Sequence, residues 1–376
     1  MTTISYLTQI EFDFGNISRL KEFADSQGIS RPLLVTDKGL MSTGIVDKAT
    51  EALADCENVT LFAGTPSNPT EEAVRSALEK YREHNCDGLI AIGGGSSIDL
   101  AKGVALLATH DGDLAHYAAI EGGVEKIGPV APLIAVPTTA GTGSEVGRAA
   151  LLTLQDGRKV GIISPHIIPK IAVCDPELTF GLPPMLTAAT GLDAISHCIE
   201  TYLSPKLNPV AEAIGLDGLV RAVNSIEKVV EDGSDTHARS EMMMASLQGG
   251  LSFQKGLGAI HGLSHPLGGL GHVNLHHGTL NAIFLPPVLE FNEVACEEKY
   301  NVMRERLQLT SETSLAEFFA DLNLRLGLPV TLKEIGVLNE DLSPVAEAAV
   351  LDHSTPTNPR ACAKEDYLQL LGAVYS

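Results

Sequence analysis

The pattern of apolar and polar positions changes near the middle of the chain. In the first half, short unbroken apolar runs alternate with helical stretches. "PLLVTD" (Pro32–Asp37), "DGLIAIGGG" (Asp87–Gly95) and "PLIAVPTT" (Pro132–Thr139) have the length and continuity of strands buried on both faces. "TEEAVRSALEKYREH" (Thr70–His84), between the first and second of these, has helical spacing. This alternation predicts βαβ units around a parallel sheet. From about Pro183 onward the strand-like runs thin out. "MLTAATGLDAISHCIETYL" (Met185–Leu203), "NPVAEAIGLDGLVRAVNSIEKVV" (Asn208–Val230) and "SLAEFFADLNLRLGL" (Ser314–Leu328) are long helical periodicities. "GLPP" (Gly181–Pro184) is a natural boundary, because glycine and proline interrupt both kinds of element. The expected fold is therefore α/β followed by all-α, with domains at residues 1–181 and 182–376 and a ligand crevice between them.

Bulk properties narrow the function. A chain of 376 residues suits two domains, and 44% hydrophobic residues are enough for real cores. Acidic residues outnumber basic ones 47 to 26, a net charge of −21. That surface disfavours nucleic acid and anionic membranes as partners. Six scattered cysteines with no C-x-x-C pair point to free thiols in a reducing compartment. "MTTISYLTQIEFDFG" has no basic and apolar leader pattern, and no apolar run reaches the ~20 residues of a membrane span. The expectation is a soluble, cytoplasmic protein.

Two constellations carry chemistry. "GLDAISHCIE" (Gly191–Glu200) sets Asp193 and His197 four residues apart, on one face of a helix that otherwise reads as buried. Charged and polar groups avoid such interiors unless compensated. Downstream, "HGLSHPLGGLGHVNLHHG" holds His261, His265, His272, His276 and His277. One carboxylate and three imidazoles from these make a four-coordinate set for Zn²⁺ or Fe²⁺. The second constellation is a pair of Gly-rich turns after strands. In "AIGGGSSIDLAKGVALL" (Ala91–Leu107), Gly94 and Gly95 let a ligand approach the backbone, and Ser96 and Ser97 are N-cap candidates. "PTTAGTGSEV" (Pro137–Val146) repeats the arrangement with Thr138, Thr139 and Thr142. Two phosphate-friendly turns at strand ends suggest one dinucleotide in a Rossmann-like domain. Asp37, ending "PLLVTD", suits a ribose diol and repels a 2′-phosphate, which favours NAD over NADP.

The chain resembles the iron-containing (group III) alcohol dehydrogenases along nearly its whole length. The shared motifs run from "RPLLVTDKGL" through "SNPT", "AIGGGSSID", "PTTAGTGSEV", "DPELTFGLPP" and "ATGLDAISHCIETYLSP" to "AIHGLSHPLG", "HHGTLNAIFLP" and "TPTNPRACAKEDYLQLL". The resemblance implies a nucleotide-binding α/β domain and an all-helical metal domain. It makes Asp193, His197, His261 and His277 the metal ligands, with Fe²⁺ the expected ion and Zn²⁺ the alternative. His277 is preferred to His276 because it precedes Gly-x-x-Asn-Ala (Gly278–Ala282). The loop between His265 and His277 departs from better-known members by its length and by His272 and His276, so the fourth ligand is the open one. His265 corresponds to a family histidine beside the metal, linked to proton transfer. The implied NAD contacts are Asp37, Asn68, Gly94, Gly95, Ser96, Thr138, Thr139 and Lys159, and the implied assembly is a homodimer or larger homo-oligomer.

The activity expected from residues and resemblance together is reversible alcohol oxidation. The metal acts as a Lewis acid on the substrate oxygen, hydride passes to nicotinamide, and His265 relays the proton. Arg148, after "GTGSEVG", and Lys255, six residues before His261, are basic positions in an acidic protein. They suggest an anionic substrate, a hydroxy acid or sugar acid. The competing reading pairs them with local acids such as Glu145 or with cofactor phosphates. Alternatives on the same scaffold are hydroxyacid–oxoacid transhydrogenation, which needs no added NAD, and a sugar-phosphate cyclase-like lyase, which accumulates no NADH.

Overall fold

A computed structural model describes Ile4, Tyr6 and residues 8–376; part of the N-terminal stretch read for a targeting signal lies outside them. The chain divides into two compact units. One runs through the described residues from Tyr6 to Thr139 and takes up again over Gly143–Gly181; the other is Leu182–Ser376 with Ile4 and the short segment Ala140–Thr142.

Among the described residues the first unit has eight strands: β1 (Gln9–Phe12), β2 (Pro32–Val35), β3 (Thr60–Phe62), β4 (Gly88–Gly93), β5 (Leu133–Pro137), β6 (Ala149–Thr153), β7 (Lys159–Ile163) and β8 (Ile171–Cys174). Six form one sheet in the order β1-β8-β5-β4-β2-β3, and every pairing in it is parallel. Helices α1 (Leu20–Ser26), α2 (Ile45–Ala52), α3 (Glu71–Glu83) and α4 (Gly95–Leu107) make the crossovers. The continuous apolar runs are explained by burial on both faces. Leu33, Val35, Leu89, Ala91, Leu133 and Ala135 pack into one core. The alternate residues Leu34, Ile90, Ile92, Ile134 and Val136 pack into the other. Thr70 lies one residue outside α3 and caps it, accepting from the Ala73 amide at 3.2 Å.

One element has no counterpart in the sequence reading. β6 and β7 form an antiparallel hairpin of their own. Its residues Ala150, Leu152, Val160 and Ile162 join the same core as α4. The hairpin's approach is braced from α4. The fully buried Lys102 donates through Nζ to the carbonyls of Ser144, Gly147 and Ala149 at 2.7–3.0 Å and to Ser144 Oγ. Asp99, one turn earlier, accepts from Ser144 Oγ at 2.6 Å and from the Leu151 amide at 2.9 Å.

The second unit is helical: α5 (Pro184–Leu203), α6 (Pro209–Glu231), α7 (Thr236–Ser252), α8 (Ala259–Leu267), α9 (His277–Glu293), α10 (Glu297–Arg306), α11 (Leu315–Arg325), α12 (Leu342–Leu351) and α13 (Lys364–Ala373). No helix among the described residues is long and apolar enough to cross a membrane. All six cysteines are free thiols. α5 is the centre of this unit, buried without interruption from Thr187 to Leu203. Missing side chains let its neighbours approach. A Cβ on Gly218 of α6 would lie 2.9 Å from Cys198 Sγ, and one on Gly249 of α7 would lie 3.0 Å from His197 Cβ. A Cβ on Gly278 of α9 would run into the backbone carbonyl of Ala189.

These contacts separate glycines that are required from those that are not. Gly278→Ala sets a methyl against backbone that cannot move aside, and we expect it to cost about 1–3 kcal/mol or more. Gly372→Ala, in α13 with open space around it, should be neutral or stabilise by up to about 1 kcal/mol through helix propensity. Denaturant midpoints of the two variants test this; equal midpoints would contradict the packing argument.

Candidate active site

Helix α5 presents Asp193, His197 and Glu200 on one face, at spacings of four and three residues. Helix α8 adds His261 and His265, and α9 adds His277 at its first position and Asn281 one turn on. The ligand atoms of Asp193, His197, His261 and His277 all lie within 4.8 Å of one another. Asp193 Oδ1 is 3.4 Å from His197 Nε2 and 3.7 Å from Nε2 of both His261 and His277. Donors about 2.0–2.2 Å from a tetrahedral ion lie roughly 3.3–3.6 Å apart, so these spacings fit a divalent cation with little adjustment.

The partners behind the imidazoles set which nitrogen faces inward. His197 Nδ1 meets the Gly141 carbonyl at 3.1 Å, and His261 Nδ1 meets Glu200 Oε2 at 2.6 Å. Both acceptors require a proton on Nδ1, which turns Nε2 to the centre. Glu200 also accepts from the Ile260 amide through Oε1 at 2.7 Å, so one carboxylate ties down both the start of α8 and its histidine. Glu200 stands in "GLDAISHCIE", seven residues past Asp193. Its place on the same helical face was the available signal for it.

Burial governs the protonation of the set. Burial would raise the Asp193 carboxyl, but His197, His277 and His261 hold it far below the usual carboxylate range. Burial pushes His197 down to about 4 despite Asp193. Burial also works against a charge on His261, yet Glu200 and Asp193 outweigh it and push that ring up to about 9. Three of the four side chains are at most 4% exposed, whereas His277 is 25% exposed, so the set is open on that side.

The remaining histidines take other places. His276 is the N-cap of α9 and accepts from the Thr279 amide, and it is His277 that joins the donor set. His272 pairs with Asp341 at 3.3 Å. His265 stacks on His277 with ring centroids 5.5 Å apart, and its Nδ1 meets Asp352 Oδ2 at 3.0 Å. His353 stacks 5.2 Å from His265, and burial pushes it down to about 4. Asp352 and His353 were not singled out in the sequence; the link to His265 crosses 87 residues.

Lys255 differs from its expected role. Its side chain is fully buried, and Nζ donates to the carbonyls of Tyr202, at 3.0 Å, and Ser204, and pairs with Glu212 at 3.0 Å. The end of α5 leaves carbonyls without helical partners and carries the negative end of the helix dipole. Lys255 and Lys299 both answer that need, Lys299 reaching the Tyr202 carbonyl at 2.6 Å. Burial pushes Lys255 down to about 8. It is a helix-end cation, not a receptor for an anionic substrate. Arg148, just before β6, is exposed.

The expected dinucleotide contacts all belong to the first unit. Asp37 Oδ1 accepts from the amides of Gly39 and Leu40 at 2.8 and 3.2 Å, with Oδ2 toward Gly93. Gly93 has φ +150°, and a Cβ there would sit 2.6 Å from Ser97 Oγ. Gly94, not a serine, is the N-cap of α4, and no side chain caps it. Ser96 turns instead to the Ser67 carbonyl at 2.5 Å. The Ser97 amide turns back to the Gly94 carbonyl at 3.1 Å, and no side chain caps the Gly95 and Ser96 amides, as phosphate binding at a helix start requires. The Thr138 amide donates to the Gly93 carbonyl at 3.0 Å, Thr139 faces Gly94, and Lys159 Nζ donates to Asn68 Oδ1 at 3.0 Å.

Comparison with known proteins agrees with this geometry. The family model for iron-containing alcohol dehydrogenases matches residues 8–176, and that for the C-terminal part of the Fe-containing alcohol dehydrogenase family matches residues 187–375. The chain belongs to the iron-containing alcohol dehydrogenase family: it is an NAD-linked oxidoreductase acting on alcohols, with the family's NAD and iron as cofactors. It is 53% identical over 379 residues, 99% of each chain, to a 4-hydroxybutyrate dehydrogenase of Cupriavidus necator. Among solved structures it is similar to a 1,3-propanediol oxidoreductase, with TM-score 0.93, 34% identity and 100% of both chains covered. It is also similar to a sulfoacetaldehyde reductase of Bifidobacterium kashiwanohense in complex with NAD+, with TM-score 0.90, 26% identity, and 100% and 99% of the chains covered.

The raised His261 makes metal binding pH-dependent. Its folded value of about 9 lies above the ordinary 6.5, so in metal-free protein its stabilisation is complete below about 6.5 and is lost as pH rises through about 9. A cation has to displace that proton. Zn²⁺ titration of chelator-treated protein should therefore release a proton at pH 7 and bind more tightly toward pH 9. Glu200→Gln should weaken binding about 10- to 100-fold. A pH-independent affinity unaffected by Glu200→Gln would contradict this assignment.

Proposed function

We propose that this chain is a metal-dependent, NAD-linked dehydrogenase of short hydroxy acids, interconverting a terminal hydroxyl and an aldehyde in a substrate of the 4-hydroxybutyrate kind. The convergence of Asp193, His197, His261 and His277 carries the metal part of the reading. The 53% identity to a 4-hydroxybutyrate dehydrogenase, and the likeness to an enzyme of an anionic sulfo-aldehyde, support the substrate part. The donor set of one carboxylate and three imidazoles fits Fe²⁺ or Zn²⁺, since both accept one oxygen and three nitrogens.

A divalent ion in this set supplies Lewis acidity toward the substrate oxygen. The residues do the rest. Asp193 supplies the negative charge, and Gly141 and Glu200 hold His197 and His261 with Nε2 inward. His265, oriented by Asp352, takes the hydroxyl proton and passes it toward solvent. In the first unit, Asp37 holds the ribose diol. The amides after Gly94, with Gly95, Ser96, Thr138, Thr139, Asn68 and Lys159, hold the rest of the dinucleotide. Bound there, NAD+ would supply the hydride acceptor, so that alcohol and NAD+ would give aldehyde, NADH and a proton. Arg148, exposed and cationic, is the proposed receptor for the substrate carboxylate. In this reading residues 1–181 serve the nucleotide and 182–376 the metal, and the enzyme works in the cytoplasm as a homodimer or larger homo-oligomer.

The test is NADH formation by metal-replete protein with 4-hydroxybutyrate, 1,3-propanediol and 1-butanol. The hydroxy acid should lead in kcat/KM by about tenfold or more, and Arg148→Ala should raise its KM by about tenfold while leaving the diol's KM unchanged. Turnover without added NAD, or without net NADH, would move the assignment to a transhydrogenase or a lyase. Asp37→Ala should narrow the preference for NAD over NADP by about tenfold or more, read as the ratio of kcat/KM values; an unchanged ratio would remove Asp37 from the ribose site.

A further inference from the structure

Asn281 sits among the donor atoms and has no part in the chemistry above. It lies on α9, four residues past His277, and is fully buried. Its amide nitrogen is 2.7 Å from Asp193 Oδ1, 3.1 Å from His261 Nε2 and 3.2 Å from His277 Nε2. A carboxylate only accepts, so the end of the amide facing Asp193 is the NH₂. Its hydrogens are surrounded by atoms that a cation would face. The opposite end, Oδ1, is buried and has no hydrogen-bond partner.

Asn323, on α11, also leaves its Oδ1 without a partner, but its NH₂ goes to the Ala282 carbonyl; what sets Asn281 apart is that its NH₂ faces three atoms of the donor set. The donor set orients this amide at the expense of its oxygen. A contrast lies close by. Asp352, which sits with His265 and His353 in a second group of possible ligands, has one oxygen on His265 and the other on the Ser354 amide at 2.8 Å. Both oxygens of that carboxylate are satisfied within the protein.

We propose that Asn281 is a positioning residue that stands in for the metal. In the metal-free chain an amide hydrogen holds the Asp193 carboxylate in place, and it has to leave that oxygen when a cation arrives. Asn281 therefore stabilises the metal-free arrangement and competes with the ion. This rests on the proposed metal reading of the same four residues, and the experiment separates the two.

The experiment uses full-length protein stripped with chelator, with Zn²⁺ alone as probe. Thermal midpoints with and without Zn²⁺, and Zn²⁺ affinity by calorimetry, are compared for wild type, Asn281→Ala and Asn281→Leu; leucine keeps the volume and removes the donor. The expected result is a metal-free midpoint lowered by several degrees, a loaded midpoint lowered less, and Zn²⁺ bound about three- to tenfold more tightly. Variants that fold only with Zn²⁺ present would support the proposal in a stronger form. Equal losses in both forms would mean an ordinary packing residue and overturn it. So would Zn²⁺ affinity falling tenfold, or failure of both variants to fold with Zn²⁺ present. If wild type itself shows no Zn²⁺-dependent midpoint, the metal reading fails, and this proposal with it.

Discussion

A single negative charge, the Asp193 carboxylate inside a fully buried helix, is the constraint around which the second unit is arranged. Left alone, a carboxylate in such a place would bind a proton and lose its charge. Three imidazoles and an amide instead crowd its Oδ1 between 2.7 and 3.7 Å and hold it ionised. Those imidazoles need orientation in turn, and the need propagates outward. His261 calls for Glu200, Glu200 ties down the first amides of α8, and His197 calls for a carbonyl at Gly141.

Close packing turns these hydrogen bonds into a rigid frame. Gly218, Gly249 and Gly278 bring α6, α7 and α9 against α5 at distances no side chain would permit. His197 is thus gripped at its Cβ by α7 and at its Nδ1 by Gly141. At the far end of α5, Lys255 and Lys299 neutralise the exposed carbonyls of Tyr202 and Ser204. A helix so constrained along its length cannot slide or rotate. The donor geometry that depends on it is correspondingly exact.

Much of this was legible in the sequence because it rests on local spacing. Unbroken apolar runs marked the parallel strands, and Asp193/His197 and His261/His265 shared helix faces by arithmetic alone. What was not legible depends on tertiary partners. The β6–β7 hairpin alternates too weakly to stand out, since one face of it is absorbed into the core of α4. Ser96 and Ser97 looked like caps, but Gly94 is the N-cap and no side chain covers the amides that follow it. Lys255 sat near the metal motif in sequence, yet its ammonium serves the end of α5, a target visible only once α5 and the turn after it are placed. Asp352 reaches His265 across 87 residues, a distance no periodicity spans.

The order of the ligands along the chain has a consequence for how the protein is made. All six strands of the parallel sheet are complete by Cys174, before the first donor, Asp193, has been synthesised. The nucleotide unit can begin to fold while the rest is still emerging, as N-terminal domains commonly do. The donors come from three helices, and the last of them, His277, opens α9. A nascent chain therefore carries an incomplete donor set for a long stretch of translation. The four side chains can come together only once α9 has docked, which makes the assembled set a late product of folding and a mark of a correctly packed helical unit.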